Sequence, residues 1–132
     1  MIALDRLWPI MSLDIGSWRW ISRIPIVLGV ALAVWGVLTF RHHHTRVHPG
    51  QGHSTTVVTA GPYRFTRNPM YLGMMLILVG GALRLGSLAP WFVLPIFGIA
   101  ITRLWIRREE RWLSEAFGEA YEQYRSRVRR WI

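Results

Sequence analysis

The sequence predicts an all-helical membrane protein with about three transmembrane helices, one single span plus a helical hairpin, and a C-terminal amphipathic helix on the cytoplasmic face. Three observations favour this fold class. Long uncharged apolar runs interrupt a basic chain whose formal net charge is +9. The chain contains eight tryptophans, a residue that concentrates where a membrane meets water. Apolar residues recur at helical spacing in the C-terminal part of the chain.

Composition also limits the function classes. The 132 residues are enough for one domain, so we treat residues 1–132 as a single membrane domain. All sixteen basic residues are arginine. Arginine-rich chains bind nucleic acid or anionic lipid, and the long uncharged runs favour lipid and disfavour nucleic acid. The absence of cysteine excludes disulfides, thiolate metal sites and a cysteine nucleophile.

The first part of the chain is predicted to be an interfacial segment followed by a single span. Residues 1–23 mix charged residues with three tryptophans and are too polar to cross a bilayer, so we expect them at the membrane surface. Residues 24–40 are seventeen residues without a charge, the short end of the roughly 17–25 needed to span. We predict an uncut membrane anchor here.

A polar loop (41–69) and a helical hairpin (70–102) follow. The loop ends in Pro69, which suits the first turn of a helix. Gly86 and Pro90 indicate a turn in the middle of the hairpin, and Arg84 is expected to snorkel at its tip. A β-branched patch at residues 55–59 either pairs as a short strand or extends across the membrane face.

The last segment, residues 103–132, is predicted to be an amphipathic helix with a possible break near Gly118. Twelve arginines lie in the loop and this tail, against four in the N-terminal segment and at the hairpin tip. Because cytoplasmic segments carry the excess of basic residues, we expect a multi-pass protein whose loop and tail form a cytoplasmic catalytic face.

Two clusters could carry chemistry. Glu109 shares a helical face with Leu113, and either pairs with neighbouring arginines or receives a cationic or hydroxyl-bearing ligand. His44 and His48 have the spacing of two metal ligands on a helix. The proline and glycines at residues 49–52 disfavour a helix there, so we predict a solvated loop and no metal.

The strongest motifs surround Pro62 and Pro69 and the glutamate pair Glu109-Glu110. Thr59, Gly61 and Tyr63 are followed by Arg67-Asn68-Pro69-Met70-Tyr71, and further on Glu109-Glu110 precede Phe117-Gly118-Glu119-Ala120-Tyr121. In order and spacing, residues 54–131 resemble the integral-membrane methyltransferases that include isoprenylcysteine carboxyl methyltransferase and the phospholipid N-methyltransferases. This sequence departs from the family pattern at Asn68, where the family has histidine, and at Trp105, where the family tends to have arginine.

The resemblance implies that S-adenosylmethionine binds in a pocket formed by the loop, the start of the hairpin and the charged helix, open sideways to the bilayer. The residues that it assigns to cofactor binding are Val57, Val58, Tyr63, Asn68, Pro69, Tyr71, Glu109 and Glu110. Arg103 or Arg107 would then serve in place of the family arginine as substrate-positioning residues. No metal is implied, and no catalytic residue is assigned.

We therefore expect methyl transfer from S-adenosylmethionine to a lipophilic acceptor at the membrane interface. The acceptor is either a prenylcysteine-type carboxylate or a lipid amine, and the absence of an evident base favours the carboxylate slightly. The alternative is a non-catalytic arginine-rich membrane subunit that binds anionic lipid or a protein partner. A membrane metal oxidase is a third interpretation, which depends wholly on the histidines.

Overall fold

The described part of the computed structural model, residues 19–45 and 57–132, is helical and contains no strand. The helical segments in chain order are α1 (Arg23–Thr45), a short 3₁₀ helix (Gly61–Arg64), α2 (Pro69–Leu85), α3 (Ala89–Ile101), a π-helical segment (Thr102–Ile106), α4 (Arg107–Phe117) and α5 (Glu119–Arg127). The all-helical class is therefore confirmed. Most of the predicted interfacial segment lies outside the described residues, and Val57 to Thr59 do not pair as a strand.

Two of these helices are long and apolar enough, by length and composition, to cross a membrane: Arg23–His43 and the continuous helix Ala89–Phe117. The helix α2 is also apolar but has 17 residues. The first helix runs five residues beyond the predicted boundary at residue 40, because the end of an apolar run removes lipid contact but not the backbone hydrogen bonds of the helix.

The helices α1 and α2 pack against each other through glycines. A Cβ atom built on Gly73 would lie 2.5 Å from the carbonyl oxygen of Gly29, and one on Gly36 would lie 3.1 Å from the Pro69 ring. Gly80, at the other end of α2, lies against Ser22. The order of contacts makes the two helices antiparallel, and small residues let their backbones approach closely, as in many membrane helix pairs.

The predicted turn between α2 and α3 is also present. Gly86 ends α2 in the left-handed conformation (φ 65°), and its N–H donates to the carbonyl of Ala82. Pro90 lies in the first turn of α3. Arg84 is exposed near this turn, where the sequence predicts it.

The C-terminal part is divided where the sequence indicates a break. Gly118 adopts φ 56° between α4 and α5, and the Ser114 hydroxyl donates a hydrogen bond to the Glu122 carboxylate across the break. The predicted single amphipathic helix is therefore two helices joined at a corner. This corner turns Tyr121 and Tyr124 toward the 3₁₀ helix, where they are buried against Tyr63.

The close contact between Gly29 and Gly73 predicts a strong size limit at position 73. We expect Gly73→Ala to be about 1–3 kcal/mol less stable than Gly98→Ala. Both substitutions gain the same helix propensity, but a Cβ at position 98 would meet only the flexible end of Met75, at 3.1 Å. Unfolding of both variants in detergent measures the difference, and equal stabilities would contradict this packing.

Candidate functional site

A cavity of about 390 Å³ lies where the 3₁₀ helix, the start of α2 and the helices α4 and α5 meet. Its volume is in the range of about 300–1,000 Å³ that is typical of small-molecule sites. The lining contains all the residues predicted to contact the cofactor, which are Val57, Val58, Tyr63, Asn68, Pro69, Tyr71, Glu109 and Glu110. Arg103 and Arg107 line a different cavity.

Three buried tyrosines form the base of the cavity. Tyr63, Tyr121 and Tyr124 are at most 7% exposed. The Tyr124 hydroxyl donates to the carbonyl of Tyr63 at 2.8 Å, which ties α5 to the 3₁₀ helix. Burial, together with the negative charge of Glu109, raises the pKa of Tyr63 to about 12. At neutral pH its phenol is therefore protonated and can donate a hydrogen bond but cannot act as a base.

Glu110 is held by two arginines. Nε and Nη2 of Arg130 donate to its two carboxylate oxygens, each at 2.8 Å, and Nη1 of Arg67 lies 3.1 Å from Oε1. The side chains of Glu110 and Arg67 are each only 10% exposed. Because the ion pair with Arg130 is bidentate, it fixes the direction of the carboxylate as well as its charge. Glu110 therefore joins α4 to the loop and to the C-terminal residues.

Glu109, its neighbour, has a different environment. It is exposed, and its Oε1 accepts a hydrogen bond from the Tyr71 hydroxyl at 3.0 Å. Within the described residues it makes no ion pair, so the expected pairing with a neighbouring arginine does not occur. The carboxylate of Glu109 thus has no ion-pair partner within the described ranges and lies at the wall of an otherwise mostly apolar cavity.

Asn68 has a structural hydrogen bond in this arrangement. Its Nδ2 donates to the carbonyl of Arg130 at 3.0 Å, and its backbone N–H donates to the Thr66 hydroxyl. Thr66 in turn donates to the same carbonyl of Arg130 at 3.3 Å. An amide cannot gain or lose a proton near neutral pH, so Asn68 here holds the C-terminal residues against the loop.

Arg67 leaves one donor unused. Its backbone N–H donates to the carbonyl of Arg129 at 3.0 Å, and its Nη1 donates to Tyr121 at 3.4 Å as well as pairing with Glu110. Its Nε is buried and has no hydrogen-bond partner among the described residues. A buried donor without a partner costs free energy, so an acceptor atom supplied by a ligand would stabilise this site.

The structure adds residues that the sequence did not assign to the site. Arg67 directly precedes Asn68 in the motif, and this adjacency is the sequence signal that could have assigned it to the site. Arg130 lies twenty residues from Glu110 in the chain, and no periodicity links the two. Phe40, near the end of α1, also lines the cavity. The sequence assigned no residue of the first span to the pocket.

The histidine hypothesis falls mostly outside the described residues. His48, His53 and the side chain of His44 are not described. Within the described ranges no three histidine, aspartate or glutamate side chains form a group that could hold a metal. Nδ1 of His43 lies 2.9 Å from the carbonyl of Thr39, which is a contact within α1.

Comparisons with known proteins agree with the resemblance in the motifs. The sequence model of the phospholipid methyltransferase family matches residues 18–120. An uncharacterized protein of Haemophilus influenzae is 41% identical over 63 residues, 48% of this chain and 100% of that protein. The protein-S-isoprenylcysteine O-methyltransferase of Schizosaccharomyces pombe is 32% identical over 75 residues, 54% of this chain and 30% of that protein.

The cobalt-zinc-cadmium resistance protein CzcN of Cupriavidus metallidurans is 32% identical over 109 residues, 80% of this chain and 48% of that protein. The chain thus spans all of the Haemophilus protein and less than half of the other two. No solved structure matches the chain.

Substitutions of the two adjacent glutamates are predicted to change stability by very different amounts. We expect Glu110→Gln to lower the free energy of unfolding by about 3 kcal/mol, because it leaves the buried Arg67 without its counter-charge. We expect Glu109→Gln, the matched control, to change it by less than about 0.5 kcal/mol, because that side chain is exposed. Unfolding of both variants in detergent tests this, and similar losses would contradict the separation of roles.

Proposed function

The chain belongs to the phospholipid methyltransferase family, and on this basis we propose that it transfers a methyl group from S-adenosylmethionine to a lipophilic acceptor at the membrane interface. The observation that carries the proposal is that residues from the loop, from α2 and from α4, distant in the chain, line one cavity. The carboxylate of Glu109, which makes no ion pair in the described part of the chain, lies in its wall.

The residues of this cavity fit the cofactor in their chemistry. When bound, S-adenosylmethionine would supply an electrophilic methyl group carried by a sulfonium sulfur. The acceptor atom forms a bond to the methyl carbon as the bond from carbon to sulfur breaks, and the sulfur becomes a neutral thioether. The carboxylate of Glu109, oriented by Tyr71, suits the positive charge, and aromatic faces such as Tyr63 can add to its binding. The free Nε of Arg67 suits a carboxylate oxygen.

Catalysis in such a site depends on position and on exclusion of water rather than on a covalent intermediate. The aromatic and aliphatic residues of α4, with Trp112, Leu113 and Phe117 in the lining, supply an apolar wall for a lipophilic acceptor. The ion pair between Glu110 and Arg67 holds α4, and with it Glu109, against the loop. We infer that Glu109 binds the cofactor and that Glu110 positions Glu109.

The same residues favour an acceptor that needs no deprotonation. The Tyr63 phenol stays protonated, and the Asn68 amide cannot accept a proton and already donates to a backbone carbonyl. A carboxylate is ionised at neutral pH, whereas an amine must first lose a proton. We therefore propose a carboxylate on a lipid-like molecule, such as a prenylcysteine, with a lipid amine as the second choice.

We further propose that α1, α2 and the continuous helix Ala89–Phe117, which begins with α3, all span the membrane. α2 is short, but it pairs antiparallel with α1 along much of its length, which would shield it from mismatch with the bilayer. Three spans would put the 41–69 loop and the tail from residue 103 on one side. Their arginines favour the cytoplasmic side, so the catalytic face would be cytoplasmic.

Calorimetric titration of the detergent-purified protein tests cofactor binding. We expect the parent to bind both S-adenosylmethionine and S-adenosylhomocysteine. Glu109→Gln should weaken binding of the sulfonium form at least tenfold, and that of the neutral product less, because only the first has the charged sulfur. Arg84→Gln, which changes an exposed arginine at the other end of α2, is the control and should bind both ligands like the parent.

Two outcomes would contradict this proposal. A folded parent that binds neither ligand would overturn the methyltransferase function and favour a non-catalytic subunit that binds anionic lipid or a protein partner. Equal weakening of both ligands in Glu109→Gln would instead place that carboxylate away from the sulfonium.

Transfer of a radiolabelled methyl group tests the acceptor. We expect label on a prenylcysteine analogue with a free carboxylate, at a rate that changes little between pH 6.5 and 8.5, because a carboxylate is ionised throughout this range. Label on phosphatidylethanolamine alone, with a rate that rises steeply with pH, would show that the acceptor is an amine. The methyl ester of the prenylcysteine analogue is the matched control and should accept no label.

A further inference from the structure

A second cavity, of about 690 Å³, lies on the other side of the hairpin. Its walls are apolar residues of the N-terminal half of α2 and the C-terminal half of α3, and Trp131 covers part of it. Arg103 and Arg107 line its end beyond α3. Within the described residues it shares no lining residue with the cavity around Glu109. We call it the hairpin groove.

The hairpin groove runs lengthwise along the helix that carries its charged end. Pro95, Ile99 and Arg103 follow one another at intervals of four residues, so they lie along one face of a continuous helix. Eight residues of helix are about 12 Å long. The hydrocarbon of one leaflet is about 15 Å deep, half of the roughly 30 Å core. The groove from Pro95 to its charged end at Arg103 is therefore somewhat shorter than the hydrocarbon layer of one leaflet.

The charges at the end of the groove have no ion-pair partner among residues 19–45 and 57–132. Arg103 and Arg107 are both exposed, and neither makes an ion pair among the described residues. The nearest carboxylates along the chain are engaged elsewhere, Glu110 with two arginines and Glu109 with Tyr71. The Thr102 hydroxyl donates to the carbonyl of Gly98 within its own helix. The two guanidinium groups are therefore available to an anion.

We propose that the hairpin groove binds one anionic phospholipid, with an acyl chain between α2 and α3 and its phosphate between Arg103 and Arg107. Guanidinium groups bind phosphate oxygens through paired hydrogen bonds, which an ammonium group does not match in geometry. An apolar groove in hydrocarbon needs a chain to fill it, and the charges at its end select the headgroup. This site is separate from methyl transfer and does not depend on the proposed enzyme activity.

Native mass spectrometry of the full chain in detergent, titrated with phosphatidylglycerol or phosphatidylcholine of identical chains, tests the proposal. We expect one phosphatidylglycerol per protein, bound at least tenfold more tightly than phosphatidylcholine. The double variant Arg103→Gln/Arg107→Gln should lose at least tenfold in affinity for phosphatidylglycerol. The control Arg108→Gln/Arg111→Gln removes the same charge from exposed residues outside the groove and should stay within twofold of the parent.

The apolar part of the groove needs its own variant. Gly98→Leu places a side chain where only the flexible end of Met75 is near, so it should fold and should also weaken binding of phosphatidylglycerol. Inorganic phosphate, added as a competitor, should displace little lipid, because it cannot fill the groove. The unfolding midpoint of each variant is measured alongside to confirm that it is folded.

Three results would overturn the proposal. Equal losses in the two double variants would mean that net charge alone attracts the lipid. Full binding in Gly98→Leu with displacement by inorganic phosphate would mean a bare anion site without a chain. Equal affinity for phosphatidylcholine would mean that the arginines do not select the headgroup. Because every readout is lipid binding, a failure of the methyltransferase proposal would leave each of these results interpretable.

Discussion

The site depends on the ion pairs that Glu110 makes with Arg67 and Arg130. These three residues come from α4, from the loop before α2 and from the C-terminal residues; a backbone hydrogen bond from Arg67 to Arg129 also joins the last two segments. A buried carboxylate is costly unless it is paired, so the position of Glu110 is stable only when both arginines are present. The hydrogen bonds from Thr66 and Asn68 to the carbonyl of Arg130 strengthen the same junction. The cavity exists because this junction closes it.

The contrast between two adjacent glutamates follows from the helix that carries them. Consecutive residues on an α-helix differ in direction by about 100°, so Glu110 can turn inward while Glu109 faces the open side of the cavity. Arg67 and Arg130 balance the charge of Glu110, which serves structure, whereas Glu109 makes no ion pair among the described residues. A cationic ligand can bind only to a carboxylate that the protein has not already paired. The sequence motif names both residues, but only the contacts separate their roles.

Much of the fold could be predicted from the sequence because apolar runs, prolines and glycines act locally. Pro69 and Gly86 fixed the bounds of α2, and Gly118 fixed the corner between α4 and α5. The partners of Glu110 could not be found in this way. Arg67 and Arg130 are separated from it by many residues, and among sixteen arginines nothing in the spacing distinguishes them. Hydropathy also does not report where backbone hydrogen bonding stops, and α1 continues five residues past the predicted end of the first span at residue 40.

One continuous helix, Ala89–Phe117, provides walls of both cavities. Arg107 lines the hairpin groove and Glu109 the cavity on the other side, and two residues of α-helix turn a side chain by about 200°. The π-helical segment Thr102–Ile106 lies just before them, and its wider turn sets the angle between the apolar face of α3 and the charged faces of α4. A helix without this segment would present its arginines and glutamates about one residue out of register with the membrane-facing surface. The geometry of both sites therefore depends on the same irregular turn.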